Sequence, residues 1–448
     1  MKHLYVDTDN GASDHGGASA GDAMDTLANA VAKLPADLTS DDSYTIHCKG
    51  SAADTTAVVI NNHTTDATHY ILIQTDTADR HSGIWSTSKY RITVTSSGSP
   101  GIYVLEDYVR IDGLQINIVT PTGNYTHCIH MDGQTATNNA IYISNCILRG
   151  HASASYTGSG IMVESANANV YMWNNIIYGV GLDANNFGIA TSGANQYIYN
   201  CTVIGGYIGI RCGAGTVTCK NSYAGGSAGQ DLARIAGVFA KTNCASEDQS
   251  ADDTGTDETA TNCLAAAVAV NSTTFTDHDS DPPDYRLPGT GSALYHTGVD
   301  TDGESAPLNF TTDICGENYD TSTRSIGADE YVTASNIQGS ACWGHSTDVT
   351  QQNTRTFATN WTGTAAISGS GDTEIVTFDA GEYVESEVVN TGATTWSISQ
   401  NSYRAGDSVT ISYKTGDSVA NCEADTWHTY SGAFESSGYV KIRAEVAA

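Results

Sequence analysis

The sequence predicts an all-β protein in two parts. The first is a long β-solenoid, in which short strands wind into stacked coils, and the second is a smaller antiparallel β-sandwich. Three observations predict this. An asparagine-centred segment recurs at intervals of 19 to 29 residues, which is typical of solenoids. The 448 residues include 45 Gly, which favours turns and strands over helices. The composition changes near residue 333, and four of the 6 Trp follow that point.

The N-terminal part, residues 1–106, is expected to hold a short helix and the first coils. Asp22 can cap this helix and Pro35 can end it. We expect the helix to cover the open edge of the first coil, since unpaired strand edges invite aggregation. Apolar residues recur there with the three- and four-residue spacing of one helix face, namely Met24, Leu27, Val31 and Leu34.

The regular coils are predicted over residues 107–263. Each repeat holds an Asn where the chain must turn sharply between two strands, and Asn tolerates the left-handed conformation that such a turn needs. The next position is usually Cys, which suggests a packed column of small buried thiols rather than disulfides. This structural Asn/Cys ladder comprises Asn145, Cys146, Asn174, Asn200, Cys201, Asn221, Asn243, Cys244, Asn262 and Cys263.

The segment 264–332 closes the solenoid and carries a resemblance to a known family. It contains Asp284-Tyr-Arg-Leu287, Thr312-Asp-Ile-Cys-Gly316 and Ser325-Ile-Gly-Ala-Asp-Glu-Tyr331, and the chain opens with Leu4-Tyr-Val-Asp7. Over about residues 3 to 332 the chain resembles right-handed parallel β-helix proteins of the pectate-lyase-like superfold that tailed phages encode. The resemblance implies a parallel β-helix. We expect the closing segment to cover the last coil.

The C-terminal part, residues 333–448, shows strands of period two separated by Gly, Asn and Asp turns. This pattern predicts an antiparallel sandwich of about a hundred residues, and its end resembles small modules appended to phage virion proteins. The expected strands lie within 374–378, 382–389, 408–413 and 439–446.

The formal net charge of −31 excludes several partner classes. A general nucleic-acid binder needs basic patches, so we expect no nucleic-acid partner. An anionic membrane surface would repel the chain, and the longest apolar run, Leu264 to Val270, is far too short to span a bilayer. The first residues contain no apolar stretch and predict no signal peptide. We therefore expect neither secretion by a signal peptide nor a membrane anchor.

The resemblance, taken with the missing signal peptide, predicts a non-enzymatic structural protein on the exterior of a phage virion. It would be a capsid decoration, a fibre or a tailspike-like adhesin. It implies other virion proteins and host-surface polysaccharide as partners, and a homotrimer by family analogy. Trp173 and Tyr178 are the candidate glycan-binding residues. Two alternatives stay open: a polysaccharide depolymerase (a lyase or a glycoside hydrolase), and a bacterial surface or filament-forming solenoid.

A depolymerase of the hydrolase type would need paired carboxylates. The coils offer Asp112, Asp132, Glu164 and Asp183. The Asn-based alignment puts no two of these acids at the same position of adjacent coils. Glu164 and Asp183, near Trp173, are the first candidates if the protein is an enzyme, and otherwise no catalytic residue is expected.

No cofactor is required by these patterns, but calcium is a candidate, because carboxylate-dense loops suit its preference for oxygen ligands. Residues 241–332 hold 18 acidic and 3 basic side chains. One candidate loop resembles the start of an EF-hand loop without its Gly and Glu. The candidate ligands are Asp277, Asp279 and Asp281 in this loop, and Asp300, Asp302 and Glu304 in a second one.

Overall fold

A computed structural model describes residues 1–95, 98–119, 126–134, 139–151, 158–193, 195–319 and 323–331, and beyond residue 331 the strands given below and a few single residues. The chain divides into two compact units, Met1–Tyr331 and Val332–Ala448. Each unit is described by itself. No helix in the described ranges has both the length and the apolar character needed to cross a membrane.

Three parallel sheets form the first unit, with ten, eight and seven strands. Between Tyr44 and Arg234 the chain passes from sheet 1 to sheet 2 to sheet 3 and back in each turn, and each strand pairs with the equivalent strand of the next turn. The protein is therefore a parallel β-helix, and this prediction is confirmed.

The strands of sheet 1 are Lys2–Asp7, Tyr44–Lys49, Ile71–Gln74, Val109–Asp112, Asn139–Ser144, Ala168–Trp173, Asn195–Tyr199, Thr216–Lys220, Val238–Thr242 and Glu258–Thr261. Those of sheet 2 are Ala53–Asp54, Arg91–Thr95, Gln115–Val119, Ile147–Arg149, Ile176–Val180, Thr202–Gly205, Tyr223–Gly225 and Ala245–Ser246. Those of sheet 3 are Val58–Ile60, Ile102–Val104, Ile129–Met131, Ser159–Val163, Phe187–Thr191, Ile208–Cys212 and Gln230–Arg234.

The core lies inside the coil and consists mainly of stacked Ile and Val side chains. In sheet 1, for example, Ile73, Ile111 and Ile143 are register partners and are fully buried. Alternate residues of the same strands face outward, as the period-two geometry of a strand requires. The apolar area removed from water along these columns is the main source of stability for a fold with few helices.

The repeated Asn forms the turn between sheet 1 and sheet 2. All six have positive φ angles between 48° and 54°, at Asn145, Asn174, Asn200, Asn221, Asn243 and Asn262. Their amides also bond along the column: Asn174 Nδ2 donates to Asn145 Oδ1 at 3.1 Å, and Asn221 Nδ2 donates to Asn200 Oδ1 at 3.3 Å. At its N-terminal end, the Asn145 amide donates to Asp112 Oδ1 at 2.6 Å.

The position after each Asn is a column of small inward-facing side chains. Cys146, Cys201 and Cys244 are fully buried, and every described cysteine has a free thiol. Burial raises the pKa of Cys146 and Cys201 to about 12, so these thiols stay protonated. Side chains in this column accept hydrogen bonds from backbone amides of the preceding coil. Asn175 Oδ1 accepts from Cys146 N (3.0 Å), Ser222 Oγ accepts from Cys201 N (3.2 Å), and Cys263 Sγ accepts from Cys244 N (3.4 Å).

The N-terminal helix is shorter than the sequence predicts. It spans Leu27–Val31, and its cap is Thr26, whose hydroxyl accepts from Asn29 N, not Asp22. Asp22 instead ends a 3-10 turn at Ala20–Asp22. The helix cannot begin earlier because Met24 forms a parallel bridge with Val6 of the first strand. All four predicted apolar residues are nevertheless buried, so this segment covers the first coil.

The closing segment, residues 264–331, contains no helix or strand within its described residues. It does not simply cover the last coil. Leu264 N donates to Cys244 O near the last coil, whereas Cys315 Sγ donates to Ser82 O near the first ones. The segment therefore runs back along the outer face of sheet 2. It buries apolar residues of that face, Ile147, Ile176, Tyr178, Ile204 and Tyr223, beneath Val268, Phe275, Tyr285, Leu287, Leu294, Ile314 and Ile326.

The second unit contains only antiparallel strand pairs in its described residues. Strands Ile375–Thr377, Tyr383–Ser386, Val409–Gly416 and Phe434–Val446 fall where the alternating pattern predicts strands. The sandwich packing itself stays a prediction. The other strands are Cys342–Trp343, Asn353–Thr354, Trp361–Gly363, Ala366–Ser368, Val389–Trp396 and His428–Thr429.

Candidate functional site

The two predicted glycan-binding residues lie on different sheets and are covered by the closing segment. Tyr178, in sheet 2, is only 5% exposed and packs on Tyr285 with ring centroids 5.6 Å apart. Trp173, at the end of a sheet 1 strand, is half-buried and stacks on Phe310 at 6.0 Å. Both rings pack against other side chains of the protein and lie on different sheets, so they do not form one glycan-binding surface.

The predicted acid pair, Glu164 and Asp183, is not brought together. Glu164 follows the sheet 3 strand Ser159–Val163, which pairs in register with Phe187–Thr191. Asp183 precedes that second strand, so the two acids lie at opposite ends of sheet 3. The four residue steps from Ser159 to Val163, about 13 Å, lie between them, more than the roughly 5 to 9.5 Å that glycoside hydrolysis uses. The sequence-based pairing was wrong.

Glu164 has a different acidic neighbour, Asp132. Met131 and Val163 are register partners in sheet 3, and these two acids are the residues that follow them. Glu164 N donates to Met131 O at 2.8 Å, which fixes this alignment. Asp132 and Glu164 therefore occupy the same position in adjacent coils, about 4.8 Å apart along the stack. The expectation that no two acids share a position in adjacent coils was wrong.

Two aromatic side chains complete this cluster on the outer face of sheet 3. His130 Nε2 lies 2.8 Å from Glu164 Oε2, and the His130 ring stacks on Tyr103 at a centroid distance of 4.8 Å. The Tyr103 hydroxyl points at Asp132 Oδ2, 3.5 Å away. Tyr103 and His130 are register partners in adjacent coils. Each ring contacts the acid of the following coil, Tyr103 that of Asp132 and His130 that of Glu164. We call Tyr103, His130, Asp132 and Glu164 the acid–aromatic cluster.

Solvent reaches the acids of this cluster while the rings are more enclosed. The Glu164 side chain is 43% exposed, and that of His130 is 8% exposed. Burial, followed by the nearby charges of Asp132 and Glu164, raises the pKa of the Tyr103 hydroxyl. The Tyr103 hydroxyl therefore keeps its proton at neutral pH and can donate a hydrogen bond. The arrangement can accept hydrogen bonds from a polyhydroxyl ligand and can transfer protons to or from it.

An alignment based on sheet 3 alone would have revealed this cluster. Ile129-His-Met-Asp132 and Ile161-Met-Val-Glu164 are equivalent, at an interval of 32 residues. The Asn of the same two coils, Asn145 and Asn174, are 29 residues apart. The loops between sheets differ in length from coil to coil, so one repeat interval does not align all three sheets.

The carboxylates of the first candidate calcium loop do not converge. Asp277 Oδ1 accepts from its own loop, from Asp279 N at 3.3 Å and Ser280 N at 3.2 Å. Asp281 pairs with Arg149 of sheet 2 at 2.9 Å. These contacts use the loop to fasten the closing segment to the coil.

The carboxylates of the second candidate loop pair with basic side chains. Arg324, only 1% exposed, binds Asp300 at 3.2 Å and Asp302 at 2.8 Å. Glu304 pairs with Lys220 of sheet 1. A calcium ion in this loop would have to displace Arg324.

A third acidic group was not anticipated from the sequence. One ligand atom each from Asp313, Cys315 and Asp329 lies within 4.8 Å of the others. The carboxylates already serve the backbone: Asp313 accepts from Glu317 N at 2.7 Å and Glu330 N at 3.0 Å. Asp329 accepts from Leu287 N at 2.7 Å. This group braces the closing segment, and its geometry does not require a metal.

No family model matches the chain, and no curated protein matches it. Among solved structures, the chain is similar to pectate lyase Pel9A, with a TM-score of 0.30, 13% identity, and coverage of 74% of this chain and 97% of that one. It is also similar to the Dettilon tailspike protein (gp208), with a TM-score of 0.20, 10% identity, and coverage of 98% and 94%. The fold assignment rests on the sheet registers given above.

Proposed function

We propose that the protein is a structural component of the exterior of a phage virion and that its β-helix binds host-surface polysaccharide. The observation that carries the binding role is the acid–aromatic cluster on the outer face of sheet 3. The closing-segment resemblance and the solenoid fold support the virion assignment. Other virion proteins and a homotrimeric assembly belong to the same proposal.

The cluster offers the side chains that carbohydrate sites use. Asp132 and Glu164 can each accept hydrogen bonds from sugar hydroxyls, and such bonds to charged acceptors are stronger than neutral ones. Tyr103 supplies a hydroxyl donor. His130 holds the Glu164 carboxylate through the 2.8 Å contact, which reduces the entropy lost when a ligand binds.

A second candidate function, cleavage of the polysaccharide, is favoured by one observation: the adjacent-coil placement of Asp132 and Glu164. Glycoside hydrolysis needs one carboxylic acid to protonate the leaving oxygen and a second carboxylate to act as nucleophile or to activate water. The pair supplies both groups on a solvent-accessible face. In this reaction Glu164, positioned by His130, would act as the carboxylate. Asp132, near the Tyr103 hydroxyl, would act as the acid that protonates the leaving oxygen.

The two functions are separated by measuring binding and reducing-end release on a panel of capsular and surface polysaccharides. We expect binding by the wild-type protein and weaker binding by the Tyr103→Ala variant. If cleavage occurs, Glu164→Gln and Asp132→Asn should each abolish turnover. Asp183→Asn is the matched control, since Asp183 lies at the far end of sheet 3. Turnover that depends on Asp183 and not on Asp132 would contradict the assignment.

The virion location has its own test. Removal of residues 333–448, followed by a particle-incorporation assay, asks whether the second unit anchors the protein. We expect the truncated chain to be absent from particles. Normal incorporation of the truncated chain would indicate that the β-helix is the part that anchors the protein.

A further inference from the structure

The outer face of sheet 1 carries a regular row of aromatic side chains. Tyr142, Tyr171 and Tyr197 are register partners in three consecutive coils. Arg110 occupies the same position one coil earlier. All four alternate with buried neighbours along their strands and so face outward. We call these three tyrosines the tyrosine row.

The faces of these rings are occupied by one another. Tyr171 and Tyr197 are stacked at 4.7 Å with an interplanar angle of 5°. Tyr142 meets Tyr171 edge-on at 5.4 Å, and the Arg110 guanidinium lies 4.9 Å from the Tyr142 ring. The rings therefore follow one another, one per coil, and the stacking leaves the edges and hydroxyls of Tyr171 and Tyr197 for a ligand.

The three hydroxyls differ from those of three buried tyrosines in the described part of the chain. Tyr90, Tyr223 and Tyr319 donate to protein acceptors. Among the described residues, no protein acceptor is found for the hydroxyls of Tyr142, Tyr171 and Tyr197. Burial, followed by the neighbouring tyrosines, raises the pKa of Tyr171, so its hydroxyl keeps its proton and remains a donor.

A second polar row runs beside the first. Asn169 and Asn195 are register partners two residues before Tyr171 and Tyr197, and Asn195 Nδ2 donates to Asn169 Oδ1 at 2.9 Å. The coils of Tyr171 and Tyr197 thus each present a phenol hydroxyl and an amide, about 4.8 Å apart along the stack, whereas Ala140 holds the amide position in the coil of Tyr142. A ligand that matches the face must offer hydroxyl partners at a similar repeat along the solenoid axis.

The negative charge of the protein disfavours negatively charged ligands. The chain carries a net charge of −31, which disfavours a polyanion such as a nucleic acid or a polyuronate. Arg110, one coil before the tyrosine row, is charged, but its guanidinium is packed between Tyr142 and Tyr70, 3.5 Å from the latter ring. We propose that the tyrosine row and the two asparagines form a second carbohydrate surface that takes a linear, uncharged polysaccharide lying along the solenoid axis.

This surface shares only the ligand class with the site on sheet 3, and it could bind if that site did not. The test uses the full-length protein with three soluble polymers: a linear neutral glucan, a linear neutral mannan and polygalacturonate. Binding is measured by affinity electrophoresis and by calorimetry. We expect a neutral polymer to bind and polygalacturonate not to bind.

The deciding variant is the triple change Tyr142→Phe, Tyr171→Phe and Tyr197→Phe, which keeps the stacked rings and removes the hydroxyls. We expect it to weaken neutral-polymer binding about tenfold or more, since several hydrogen bonds are lost together. Tyr207→Phe is the control, because Tyr207 is 37% exposed outside the row. The triple change is also made in a protein that carries Asp132→Asn and Glu164→Gln, so that binding lost in that background is assigned to sheet 1 and not to sheet 3.

Three outcomes would overturn the proposal: no polymer binds, polygalacturonate binds as well as the neutral polymers, or the triple variant binds like the wild-type protein. A fourth is a change of sedimentation coefficient in the triple variant without polymer. That result would make the tyrosine row an interface between copies of the chain instead.

Discussion

Asn174 and Tyr319 are 145 residues apart in sequence, yet the Tyr319 hydroxyl donates to Asn174 Oδ1 at 2.9 Å. The Asn174 amide also donates to Asn145 Oδ1 at 3.1 Å and to Thr312 O at 2.7 Å. One side chain thereby links two coils to the closing segment. The Asn turns and the closing segment form a single buried hydrogen-bonded unit.

We expect Tyr319→Phe to lower the free energy of unfolding by about 1 to 3 kcal/mol, because it leaves the buried Asn174 acceptor without its donor. Urea denaturation followed by circular dichroism measures the change. Tyr207→Phe serves as a control of the same chemistry on an exposed ring. Equal stability of the two variants would show that the bond to Asn174 contributes nothing.

Asn174 also tests the turn itself. Its φ is 54°, a conformation that costs a residue with a Cβ about 1 to 2 kcal/mol. Asn174→Gly loses the three hydrogen bonds but fits the turn, whereas Asn174→Ala loses the bonds and strains the backbone. We expect melting temperatures in the order wild type, Gly, Ala. A more stable Ala variant would contradict a left-handed turn at this position.

Gln196 is a buried polar residue whose replacement should stabilise the protein. It is fully buried between the register partners Val170 and Val217, and among the residues that the structure describes neither its amide nitrogen nor its amide oxygen has a hydrogen-bond partner. We expect Gln196→Met to raise the free energy of unfolding by about 1 to 3 kcal/mol.

Gln115 provides the matched control for that substitution. It is equally buried, but its amide donates to Ser86 O at 3.0 Å and Tyr90 O at 3.1 Å. Gln115→Met should therefore destabilise the protein. If both substitutions shift the melting temperature in the same direction, hydrogen bonding is not what distinguishes the two sites.

Asp231 and Asp329 should each contribute less to stability as the pH rises from about 4 to about 6. Burial raises the pKa of Asp231 and of Asp329 from 3.8 to about 6. In this window the folded state binds more protons at these groups than the unfolded state, so deprotonation favours unfolding. His81 and His127 act in the opposite sense in the same window, because burial lowers the pKa of each to about 3. Carboxyls with lowered pKa, such as Asp66, do so below it.

Melting curves at a series of pH values test this prediction, with Asp329→Asn as the comparison. The asparagine can still accept from Leu287 N but does not titrate. We expect its melting temperature, relative to that of the wild-type protein, to rise as the pH is raised from 4 to 6. Identical pH profiles would mean that Asp329 does not titrate in this window.

Arg324 should contribute more to the closing segment than divalent cations do. It is almost fully buried and holds Asp300 and Asp302. We expect Arg324→Met to destabilise the protein by about 2 to 3 kcal/mol, because two carboxylates lose their partner. Chelation with EDTA should leave the melting temperature unchanged. A lower melting temperature in EDTA would indicate a bound cation in the wild-type protein.

The parts of the fold that depend on local backbone geometry could be predicted from the sequence. A left-handed turn restricts the residue type, so Asn145, Asn174 and Asn200 mark the coils directly. The acid–aromatic cluster was missed because its alignment depends on the lengths of loops, which no local rule constrains. Asp132 and Glu164 become equivalent only when sheet 3 is aligned separately.

The path of the closing segment was harder to predict, although one signal was present. Strands such as Ile147-Leu-Arg149 and Ile176-Ile-Tyr178 place apolar residues at consecutive positions, which is typical of a strand buried on both faces. That pattern indicates that sheet 2 is covered. It does not say by which segment, because any apolar stretch of irregular chain could supply the cover.

The return of the closing segment along sheet 2 has a mechanical consequence. Tyr331, the last residue of the first unit, contacts Tyr295 at a ring-centroid distance of 6.0 Å, and Ala328 N donates to Thr202 Oγ1 in the middle of sheet 2. A tensile load applied at Tyr331 therefore enters the β-helix from its side. The load would be shared in shear across several coils and would not unwind them one at a time from the end.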